Sequence, residues 1–97
     1  MMCGRQARHA RRMTLDEAME AILDRLCVDW RRRGEDISFD REALQLDLKI
    51  PPAVFSEAIR VLVLGGFLAY VSSSPASVRL DRAGIARCER QRRVDRN

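Results

Sequence analysis

The sequence predicts a mainly helical domain that carries a small β-hairpin. Apolar residues recur at helical spacing along three stretches, at 15–30, 44–48 and 55–62. Two short apolar runs, FLAYV and VRL, flank the polar segment SSSPAS. Helix-starting residues stand in front of the helical stretches at Thr14, Asp40 and Asp81. A chain of 97 residues has room for one such domain and one core.

The first helix is written most clearly. Leu15, Ala18, Met19, Ile22, Leu23, Leu26 and Trp30 form one apolar stripe. Thr14 and Glu17 have capping-box spacing, so each side chain can satisfy the other's backbone N–H. Asp16 and Glu17 suit the positive end of the helix dipole, and Arg31, Arg32 and Arg33 the negative end, before Gly34 closes it. An extended piece at 37–39 then leads to a second helix capped by Asp40. Phe39 and Leu44 sit at staple positions around that cap, and Leu44 and Leu48 share a face.

Ile50 precedes a proline and so avoids helical geometry. Pro52 is suited to the first position of a third helix, where its missing N–H costs nothing. Phe55, Ile59 and Leu62 are its inward face, and Gly65-Gly66 ends it. The outward face is Ala53, Glu57, Arg60 and Leu64, flanked by Ser56 and Val61. The hairpin follows, with strands at 67–71 and 78–80 joined by a six-residue loop. Asp81 caps a last helix, stapled by Leu80 and Ile85, whose apolar period fails past Cys88; fraying is expected there. The expected core is Leu15, Met19, Ile22, Leu26, Leu44, Leu48, Phe55, Ile59, Leu62 and Leu80. The expected organisation is a disordered basic arm at 1–13, a domain at 14–89 and a basic tail at 90–97.

Charge is unevenly spread. Residues 1–13 carry Arg5, Arg8, Arg11 and Arg12 and no acid; residues 14–84 carry nine basic residues against twelve acidic ones; residues 85–97 carry five arginines against two acids. The centre is mildly acidic and the ends are basic. If translation starts at Met13, directly before the Thr14 cap, the four N-terminal arginines vanish and the net charge of +4 falls to zero. The start lacks the apolar stretch of a secretory signal, and no apolar run is long enough to span a bilayer, so a cytoplasmic protein is expected. Cys3, Cys27 and Cys88 are isolated and odd in number. That suits a reducing compartment better than a disulfide framework and leaves Cys27 and Cys88 as small core or half-buried residues. The one histidine, His9, has no cysteine beside it in metal-site spacing, so no metal site is expected. No cofactor, small-molecule or catalytic constellation stands at working spacing, and an enzyme is not expected.

The order helix, strand, helix, turn, helix, strand, loop, strand, helix resembles the winged helix-turn-helix domains of bacterial and archaeal regulators. Leu48-Lys49-Ile50 stands at the family's turn, Phe55, Ile59 and Leu62 at the inward positions of its recognition helix, and GGFLAYV and VRLDRAG at its wing strands. The resemblance implies a transcriptional regulator that binds double-stranded DNA as a dimer with weak direct base readout. It places DNA contacts at Lys49, Ser56, Arg60, Arg79 and Arg82, with Arg8, Arg11 and Arg12 adding phosphate attraction from the arm. The chain departs from the pattern in three ways: Lys49 where a small residue is usual, Pro51-Pro52 removing two amides from an anion-binding helix start, and apolar Val61 and Leu64 on the outward face. These features favour the alternative reading, a protein-interaction module that does not bind DNA and meets a second copy or another protein through Val61 and Leu64.

Overall fold

The computed structural model describes residues 13–34, 37–71 and 74–96. Its elements in chain order are α1 (Leu15–Arg33), β1 (Phe39–Asp40), α2 (Arg41–Leu48), α3 (Pro52–Leu64), β2 (Leu68–Val71), β3 (Ser74–Leu80) and α4 (Arg82–Arg96). The domain is mainly helical with a three-stranded antiparallel sheet in the order β1-β3-β2.

The local signals act as their chemistry requires. At the start of α1, the Glu17 amide donates to Thr14 Oγ1 at 3.1 Å, and the Thr14 amide donates to Glu17 Oε1 at 2.9 Å. Asp40 Oδ2 accepts from the Ala43 amide at 2.8 Å and so starts α2. Pro52 opens α3, with Pro51 extended in front of it. Lys49 takes the left-handed conformation, φ 58° and ψ 39°. The Lys49 amide donates to the Gln45 and Leu46 carbonyls, and the Ile50 amide donates to Gln45 O at 3.3 Å. These paired bonds close the helix as a Schellman turn, and Gln45 Nε2 donates back to Ile50 O at 2.6 Å.

The helices and sheet meet over one core. Ile22, Leu26, Leu44, Phe55, Ile59, Leu62 and Leu80 are buried in it, while Leu15, Met19 and Leu48 are half-buried against it. Ala18, Leu23 and Trp30 of the α1 stripe are buried with them, and tertiary packing adds Ile50, Leu68 and Val78 among others. α1 packs chiefly on α3 and also touches α2 and α4. Gly84 admits α4 at the foot of the sheet: a Cβ there would lie 2.2 Å from Phe67 O, and that same carbonyl accepts from the Asp81 amide at 2.9 Å.

Three expectations are corrected. The hairpin loop is shorter than six residues, because β3 already runs from Ser74, and Ser77 pairs with Asp40 of β1. A second pairing partner supplies backbone bonds to a segment whose side chains alone read as loop. The last helix is assigned well past Cys88, to Arg96, through a stretch rich in Arg, Glu and Gln, which favour helix. Gln91 Nε2 donates to Asp24 Oδ1 of α1 at 3.3 Å on the way. Finally, Cys27 and Cys88 are not separate thiols. They form a disulfide with a Cα–Cα distance of 5.3 Å, both fully buried, because α1 and α4 lie side by side across 61 residues of sequence. Cys3 lies outside the described residues.

Candidate nucleic-acid interface

The exposed face of α3 follows from its inward stripe. With Phe55, Ile59 and Leu62 in the core, Ala53, Ser56, Arg60 and Leu64 are exposed and Glu57 is half-buried. Arg60 grips Glu57 one turn back with two hydrogen bonds, Nε to Oε1 at 3.2 Å and Nη2 to Oε2 at 2.5 Å. The bond holds the Glu57 carboxyl below its usual range and raises the Arg60 guanidinium above its own. Both groups face water, so the pair contributes little to stability, and it leaves Arg60 partly neutralised. Pro51 and Pro52 lack amides, so only those of Ala53 and Val54 are free at the start of α3.

Two further side chains complete this face. Arg41 occupies the first position of α2, and its Cζ lies 5.8 Å from the centre of the Tyr70 ring on β2. Arg41 also lines one groove with Gln45, Pro52 and Ser56, between α2 and α3. Tyr70 sits opposite Val78 in the register and remains 44% exposed, so its ring is available at the edge of the core. Arg41 thus joins Ser56 of α3 to Tyr70 of β2 on one surface, with exposed Arg60 one turn beyond Ser56 and exposed Lys49 in the turn between the two helices.

Of the expected DNA-contacting residues, the structure brings Ser56 and Arg60 onto this surface, with Lys49 between their helix and α2. Arg79, paired across the strands with Ala69, and Arg82 at the start of α4 line a different shallow patch with Asp81 and Glu89. Arg8, Arg11 and Arg12 lie outside the described residues. Arg41 and Tyr70 were not among the expected contacts. One signal for Arg41 is present in the sequence: a cation directly after an N-cap opposes the helix dipole, which suggests another reason for its presence. Nothing in the chain's local pattern places Tyr70 beside it.

The other surfaces differ in character. Arg25 is held between Asp47 of α2 and Asp29 of its own helix, and the bond to Asp47 raises its pKa most. Arg87 pairs with Asp24 at 3.2 Å. Of the expected partner-contacting residues, Leu64 is 74% exposed, while Val61 is half-buried in an apolar groove with Met19, Leu23 and Phe67. Among the described residues no cluster of three or more His, Cys, Asp or Glu side chains is arranged to hold a metal ion. No helix among them is long and apolar enough to cross a membrane. Compared with known protein families, curated proteins and solved structures, the chain matches none.

Proposed function

We propose that this chain is a small winged-helix protein that binds double-stranded DNA through the surface formed by α2, α3 and β2, and that it acts as a transcriptional regulator with weak direct base readout. The observation that carries this reading is Arg41 lying over the exposed ring of Tyr70 and beside Ser56, with exposed Arg60 one turn further along α3. Guanidinium groups held on a rigid helical frame suit phosphate and guanine edges, and a tyrosine and serine beside them add hydrogen-bonding groups. In this reading Arg41 and Lys49 take phosphates, and Arg60 leaves Glu57 to reach a base edge. The proline-opened start of α3 and the Glu57 carboxylate keep that readout weak.

The test is binding of the full chain to a random duplex over a salt series. The two phosphate contacts of this surface correspond to a slope of log K against log salt of about −1.8. Arg41→Ala should weaken all duplexes alike and reduce the slope by about 0.9. Arg60→Ala should instead lower discrimination at one base pair, by about 1–3 kcal/mol if the contact is bidentate. A second reading, a protein-interaction module, is favoured by the 74% exposure of Leu64. It is the reading that survives if no duplex binds at low salt.

A further inference from the structure

We propose that Cys27 and Cys88 form a reversible thiol–disulfide site whose state decides whether residues 87–91 of α4 stay on α1. The proposal does not rest on DNA binding. Both residues are fully buried, and the bond joins two helices far apart in the chain. Among the described side chains of α4, Cys88 is also the last buried one: Glu89 and Arg90 beyond it are exposed and Gln91 is half-buried. Among the described side chains, residues 87–91 of α4 are tied to α1 also by the Arg87–Asp24 ion pair and the Gln91–Asp24 hydrogen bond, both to a side chain 55% exposed. Surface pairs of this kind hold little. The first turn of α4 is anchored separately, by Gly84 against the Phe67 carbonyl and by half-buried Ile85. Loss of the disulfide therefore loosens α4 around residues 87–91 and leaves its first turn in place.

The same geometry controls access. No sulfur surface is open to solvent, so an external thiolate reaches the bond only when α4 lifts locally. Oxidation uses a low-molecular-weight disulfide, RSSR. One cysteine thiolate attacks RSSR and expels RS⁻, giving a mixed disulfide. The second cysteine thiolate attacks the protein sulfur of that mixed bond and expels the other RS⁻. Two protein thiols are oxidised, one RSSR is reduced, and the two protons released end on two RSH. Reduction is the reverse.

The experiment equilibrates the full chain, carrying Cys3→Ser so that no third thiol exchanges, in a series of reduced to oxidised glutathione ratios. Alkylation and mass measurement count the free thiols, and amide hydrogen exchange reads the helices. We expect a transition from no free thiols to two, reversed on returning the ratio. We also expect exchange at 87–91 on the order of tenfold faster in the dithiol form, with α1 unchanged. Cys88→Ala should exchange like the dithiol form under all ratios; if it does not fold, the reduced parent chain supplies the same comparison. Two free thiols at every ratio, no free thiols at any ratio, or equal exchange at 87–91 in the two forms would each overturn the proposal.

Discussion

Replacing Lys49 separates its conformational role from its charge. Lys49 sits at φ 58° and ψ 39°, and it is the one non-glycine residue with positive φ among those described. A side chain with a Cβ in that region costs about 1–2 kcal/mol. Glycine removes this cost but returns about 0.5–1 kcal/mol through the greater freedom of the unfolded chain. Lys49→Gly should therefore stabilise the domain by about 0.5–1 kcal/mol and raise Tm by roughly 2–8 °C. Lys49→Ala keeps the Cβ and should leave stability near that of the parent. Both variants remove the same exposed cation from the turn between α2 and α3, so both should weaken duplex binding and reduce the salt slope by about 0.9. Urea unfolding and duplex titration on the three proteins give the answer. If Lys49→Gly is no more stable than Lys49→Ala, the left-handed turn is wrong. If neither changes the salt slope, Lys49 is not at the interface.

Three other substitutions probe the packing and the two surfaces. Gly84→Ala would put a Cβ 2.2 Å from Phe67 O and 2.9 Å from Leu80 Cδ2, both parts of the core's edge. It should destabilise the domain by about 1–3 kcal/mol in urea unfolding, since α4 must move off the sheet; a neutral result would place α4 further out. Glu57→Gln removes the carboxylate that holds Arg60 and keeps its pKa raised. Duplex affinity should rise, most for duplexes that carry the base pair Arg60 prefers, whereas a partner surface that uses the Glu57 charge would show no gain on DNA. Leu64→Glu places a carboxylate at the most exposed large apolar side chain among the described residues. Sedimentation should show any self-association weakened, because burying that charge unpaired is costly; an unchanged association constant excludes Leu64 from the contact.

The sequence by itself determined the parts whose causes are local. Thr14 with Glu17, Asp40, and Pro51 with Pro52 act within four residues of themselves, and the structure places all three helix starts there. The stripe through Ile22, Leu26, Phe55 and Ile59 told which faces turn inward, because helical period and burial are linked over a few turns. The exposed face of α3, with Ser56, Arg60 and Leu64, followed from it as the remainder. Only the tertiary structure decided which distant residues meet. Cys27 and Cys88 look unrelated across 61 residues until α1 and α4 pack together. Ser77 reads as loop until β1 pairs with it, and Arg41 reads as a misplaced helix charge until Tyr70 is brought beneath it. Periodicity and capping report a residue's immediate backbone. A contact between elements depends on how those elements stack over the whole core, which no local window of sequence contains.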